Sequence, residues 1–80
     1  MKTNEIFSSR LKEMMSKRKI SQSELCKRIN IRRGDMSRYY HGHYVPKTEI
    51  FLKICRALDT TPNYLLGYDD GQGDLDESNK

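Results

Sequence analysis

The chain has no tryptophan, only two cysteines and two prolines, and no apolar run near the roughly 20 residues needed to span a bilayer. Its first residues, Met1-Lys2-Thr3-Asn4-Glu5, lack the continuous apolar stretch of a signal peptide. A soluble, cytoplasmic protein that does not enter a membrane is therefore expected. Cys26 and Cys55 stand too far apart to form a close-paired metal-ligand set or a dense disulfide framework. A reducing compartment and a core made by side-chain packing follow. No Ser/His/Asp arrangement, glycine-rich phosphate loop or metal motif stands out, so neither cofactor nor metal is expected. Eighty residues, 35% of them hydrophobic, make one small domain at most. So small a core leaves little interior in which to desolvate catalytic groups. A binding module is expected, not an enzyme.

What is abundant is positive charge, and it is unevenly placed. Residues 1–68 hold 14 Lys/Arg against 6 Asp/Glu, whereas residues 69–80 hold one Lys and five acids. The reading is a basic domain over 1–68 followed by an acidic tail over 69–80. With Leu75 as its one large apolar residue, the tail is expected to be disordered, because it has too little to bury to offset the entropy of ordering.

Apolar spacing along residues 1–68 predicts an all-α domain of five short helices. Phe7, Leu11 and Met14 recur at i, i+4 and i+7 within a stretch from about Asn4 to Arg18 that has neither Gly nor Pro. Ser21-Gln22-Ser23-Glu24 matches a capping box, in which the Ser21 hydroxyl and the Glu24 carboxylate each take a free amide donor at a helix start. That second helix runs through Leu25, Cys26 and Ile29. Asn30-Ile31 interrupts it, and a third helix over about Arg33 to His41 turns Met36 and Tyr39 inward, with Gly42 as a left-handed cap. Pro46 precedes a fourth, which places Phe51, Ile54, Cys55 and Leu58 on one face. Thr61-Pro62 supplies an N-cap and a first-turn proline for the last, which closes at Gly67. Met14, Met15 and Met36 read as core or near-core filling, with Met15 at the edge of the apolar face, and Tyr40 reads as surface.

Two short helices joined across Asn30-Ile31-Arg32, the second of them basic, make the arrangement that lays one helix in a DNA major groove while its predecessor crosses the backbone. The run from Ser21 to Gly42 resembles the helix-turn-helix of the Xre/Cro-type, phage-repressor-like family. The flanks agree: Phe7 to Met14 resembles that family's first helix, Pro46 to Leu58 its fourth, and Thr61 to Gly67 its closing helix. The resemblance covers about residues 5–68. It implies a compact five-helix domain with a central helix-turn-helix and a transcriptional regulator, more often a repressor, that binds a roughly palindromic double-stranded DNA operator as a homodimer. An alternative from another class is a protein-interaction module, such as an antitoxin or the tethering half of a larger regulator.

The same resemblance implies the contact residues. Gln22 stands where the family has a glutamine that meets phosphate and supports the recognition helix. Positions that meet base edges fall on Arg33, Gly34, Ser37 and Arg38, and arginine reaches guanine O6 and N7 with two hydrogen bonds. Backbone phosphates fall to Gln22, Lys27, Arg32, His41, His43, Tyr44 and Lys47. Lys17, Arg18 and Lys19 form a basic helix end that reads either as a source of long-range attraction only or, as such charge runs most often are, as a solvated terminus favoured by the helix dipole. Two residues depart from the family pattern. Arg32 replaces the usual Ser or Thr cap of the recognition helix, although Asp35 still suits the positive end of its dipole. Gly34 has no side chain where the family often reads a base, which either close backbone approach to the groove or tolerance at a helix end explains. Cys26 and Cys55 occupy family alanine positions and read as buried free thiols, not as zinc ligands with His41 and His43.

Overall fold

A computed structural model describes residues 2–68. The expected disorder of the acidic tail falls outside the described residues. Among those described, the secondary structure is helical throughout: α1 (Thr3–Arg18), α2 (Gln22–Ile29), α3 (Arg33–Tyr40), α4 (Thr48–Leu58) and α5 (Pro62–Leu65). This is the five-helix arrangement that the apolar spacing predicts, with α2 and α3 as the helix-turn-helix.

Each helix stops for a local reason. Lys19, Asn30 and Asp59 take left-handed φ of 58°, 57° and 54° at the C-caps of α1, α2 and α4. These single left-handed residues let the chain reverse within a short link. Ser21 Oγ accepts from the Glu24 amide at 3.1 Å, as the capping motif predicts. Its reciprocal half is replaced, because the Glu24 carboxylate takes the Arg28 Nε at 3.0 Å one turn along the same helix. An i,i+4 ion pair competes directly with the backward reach to the cap. Thr61 Oγ1 accepts from the Tyr64 amide at 3.1 Å, and Pro62 opens α5. Helix α3 ends at Tyr40, one residue before the expected His41, and Gly42 at φ +81° follows the cap.

Every helix contributes to one core. Phe7 and Leu11 from α1, Leu25 from α2, Met36 from α3, Ile54 and Leu58 from α4, and Leu65 from α5 are fully buried. Burying side chains of this size stabilises by about 1.5–3 kcal/mol each. The Phe7 and Phe51 rings meet at 5.5 Å, tilted by 46°. Met15, read as core or near-core filling at the edge of the apolar face, is buried with Met14, because α1 is covered on more than one side, by α3, α4 and α5. One expectation changes here. Tyr40 is half-buried and, like Tyr39, packs on the core, since α1 lies against the end of α3.

Long-range polar contacts fasten the helix ends. Arg18 Nε donates to the Leu58 carbonyl at 2.8 Å and an Arg18 Nη to the Asp59 carbonyl at 2.9 Å, so α1 caps the C-terminus of α4. From the middle of α1, the Arg10 guanidinium lies 4.3 Å from the Tyr64 ring centroid, and the Tyr64 hydroxyl donates to Glu13. That bond to Glu13, with burial, pushes the Tyr64 phenol above its ordinary range. Gly67 closes α5 at φ +86° against Ile6; a Cβ there would lie 2.8 Å from Ile6 Cγ2.

Candidate nucleic-acid interface

The turn between α2 and α3 is made by Asn30, whose left-handed backbone redirects the chain. The Ile31 amide then donates to the Cys26 carbonyl at 3.1 Å, and Ile31 packs on the core. This pins both sides of the turn. Met36 at the centre of α3 is fully buried, so the opposite side of that helix must face outward. Arg33, Gly34, Ser37, Arg38 and His41 fall at i, i+1, i+4, i+5 and i+8, a single outward stripe. Arg33, Gly34, Arg38 and His41 are exposed and Ser37 is half-buried.

Local partners already organise this stripe. An Arg38 Nη donates to Asp35 Oδ1 at 3.3 Å, which holds the guanidinium along the helix surface. Arg32 caps α3 with its backbone alone; its side chain makes no cap hydrogen bond, as replacement of Ser or Thr implies. A Cβ placed on Gly34 would meet no atom within 4 Å. Nothing in the described chain therefore requires glycine there.

Gln22 and Arg33 meet on a surface groove of about 650 Å³ between α1, the start of α2 and α3. Lys12 and Lys19 line the same groove, and no carboxylate is among its described lining residues. The first turn of α2, with Ser21 and Ser23, opens onto it, so free amide donors and the positive end of the helix dipole add to three cationic side chains. Such a groove favours an anion of phosphate type. Cys26 also lines it, 4% exposed. Burial pushes its thiol above the ordinary range, with the Arg33 charge pulling the other way, and burial raises Cys55 likewise. Both are buried free thiols, and no cluster of three or more metal-ligating side chains occurs among the described residues.

The remaining expected contact residues lie on other elements. Lys27 is exposed on α2, and Lys47 is exposed at the N-cap of α4. His41, His43 and Tyr44 are exposed on the loop that leaves α3, with the His41 ring edge-on to Tyr40 at 5.5 Å. Lys12 is the residue that reading the sequence missed. Its Nζ lies 5.1 Å from the Tyr40 ring centroid, which holds it beside α3. The signal was available, since Asn4, Ser8, Lys12, Ser16 and Lys19 form a polar stripe at i, i+4, i+8, i+12 and i+15 beside the apolar one. Arg18 has a structural part that the sequence did not show, capping the C-terminus of α4.

No helix among the described residues is long and apolar enough to cross a membrane. The family model of the Cro/C1-type helix-turn-helix DNA-binding domain matches residues 10–71. The HTH-type transcriptional regulator ImmR of Bacillus subtilis (strain 168) is 33% identical over 64 residues, which cover 80% of this chain and 50% of that relative. The chain thus spans about half the length of the curated relative it matches. No solved structure matches it. The outward stripe of α3, the cationic groove beside it and the family match over most of the chain agree: the protein belongs to the Cro/C1-type helix-turn-helix DNA-binding family.

Proposed function

We propose that this protein is a sequence-specific repressor that binds a roughly palindromic operator as a homodimer in the cytoplasm. In this reading residues 1–68 are the DNA-binding unit, and the acidic segment 69–80 stands outside it. Helix α3 enters the major groove, where Arg33, Gly34, Ser37 and Arg38 meet base edges. Gln22, Lys27, Arg32, His41, His43, Tyr44 and Lys47 meet phosphates, and Lys12 and Lys19 join them along the groove. Repression then needs only occupancy of an operator that overlaps a promoter. No bond is made or broken, so no catalytic group is assigned.

The observation that carries the reading is the convergence of Gln22 and Arg33 on a groove lined by cations, with no carboxylate among its described lining residues, next to an exposed recognition face. Phosphate neutralisation supplies sequence-independent affinity, and the exposed arginines supply choice. The name of the relative, a transcriptional regulator, supports a regulatory purpose for this binding. Selection of bound duplexes from a random pool tests it, with sedimentation of the recovered complex. The expected result is an inverted repeat whose half-sites are centred about 10 base pairs apart, bound by two chains. A pool that remains random after several rounds would sink the proposal.

A further inference from the structure

Helix α3 is held unequally at its two ends. A helix leaves its last four carbonyls without intrahelical partners. For α3 the first three are taken within the chain's own turn: Ser37 by the His41 amide at 2.9 Å, Arg38 by the His43 amide at 2.9 Å and Tyr39 by the Gly42 amide at 3.2 Å. The fourth, Tyr40, accepts from the Ser8 hydroxyl of α1 at 2.5 Å. One turn earlier on α1, Asn4 Nδ2 donates to the carbonyl of Gly42. Ser8 is a buried polar side chain, 6% exposed, and a Cβ on Gly42 would lie 3.4 Å from its own Cβ. Backbone and helix therefore touch directly. At the opposite end, Arg32 gives no side-chain cap and Gly34 faces open space.

We propose that Asn4 and Ser8 are positioning residues for DNA: they fix the loop over 41–44, and with it His41, His43 and Tyr44, at the height where a phosphate strand is met. This rests on the DNA-binding reading above. Both residues lie on the polar stripe of α1 that continues through Lys12 to Lys19, so one helix face holds the loop at one end and lines the cationic groove at the other. The loop side chains are exposed and have to be presented together. Their backbone, once released from α1, samples many arrangements, and ordering it again on DNA opposes binding.

The consequence separates this role from plain stability. Ser8→Ala is expected to weaken binding about five- to tenfold on every sequence, leave base preference intact and lower the salt slope by about one unit, because phosphate contacts are lost while base contacts stay. The decisive experiment is a double-mutant cycle on two fluorescent 30-base-pair duplexes, one recovered by selection and one of mixed sequence. Ser8→Ala is measured in the native chain and in a His41→Ala/His43→Ala/Tyr44→Ala background. Positioning predicts that the loss disappears in the second background, since there is no loop contact left to place. An equal loss in both backgrounds overturns it. Asn4→Ala, at a half-exposed site, carries the same cycle should Ser8→Ala fold poorly. A native chain that binds neither duplex removes the DNA-binding reading itself, which distinguishes that failure from failure of the positioning alone.

Discussion

Helices α3 and α4 are neighbours in the chain and are built to opposite ends. Helix α4 buries Phe51, Ile54, Cys55 and Leu58, and its last carbonyls are capped by Arg18 from α1. Helix α3 fully buries Met36 alone and shows its arginines to solvent. A helix that must offer one face to a ligand cannot spend that face on the core. Its placement then depends on one apolar anchor and on its neighbours, while α4 and α1 carry the stability of the fold.

The sharpest way to break this contrast is to remove the anchor. Met36→Ala is expected to cost about 2–5 kcal/mol, as for other fully buried large-to-small changes, although Met36 is the one buried residue of its helix. Urea unfolding checks it, and a loss under 1 kcal/mol would mean that α3 is held by its polar ends instead.

Outward substitutions on α3 should do the reverse, sparing the fold and altering recognition. Arg38→Ala removes an exposed pair with Asp35 at 3.3 Å, which is worth little to stability. It is expected to relax base preference at one operator position by about 1–3 kcal/mol, as Arg33→Ala should at another. Lys27→Ala and Lys47→Ala provide the control, with equal loss on all sequences and a salt slope reduced by about one unit each. Binding to a panel of single-base operator variants decides; a uniform loss for Arg38→Ala would make it a phosphate contact.

Between these lies the join of α3 to α1. Gly42→Ala is expected to destabilise by about 1–2 kcal/mol, because φ is +81°, a backbone conformation that side chains with a Cβ disfavour, although the new methyl would meet Ser8 only at ordinary contact distance. Thermal melting measures this, and an unchanged midpoint would show that the loop relaxes away from α1 at no cost.

How much of this was legible in the sequence follows the range of each interaction. The apolar periods of α1 and α4, the Ser21 and Thr61 caps and the glycine after α3 are local patterns, and each has its place in the structure. Glu24 was misplaced within its own helix because two local partners, the Ser21 amide and Arg28, compete for one carboxylate. Ser8, Asn4 and Arg18 were not legible as helix-end donors. Their acceptors lie 32, 38 and 40 residues away and come near only after the helices pack. Met15 and Lys12 fall between these cases, since their stripes are local but the neighbours that cover or hold them are not.

The smallest expected effect bears on the loose start of α3. Gly34→Ala adds a methyl where no atom lies within 4 Å, so the folded chain accommodates it without shift. Replacing glycine near a helix start then stabilises by about 0.5–1 kcal/mol, through the lost freedom of the unfolded chain and better helix propensity. If the bare backbone at Gly34 approaches base edges in the groove, the same methyl keeps α3 from seating, and DNA affinity falls as stability rises. That opposite movement is the expected outcome, because a position free of constraint from its own fold, on the same exposed stripe as Arg33 and Arg38, is constrained from outside. Parallel melting and operator titration of Gly34→Ala check it; higher stability with unchanged affinity would show glycine there to be merely tolerated at the helix end.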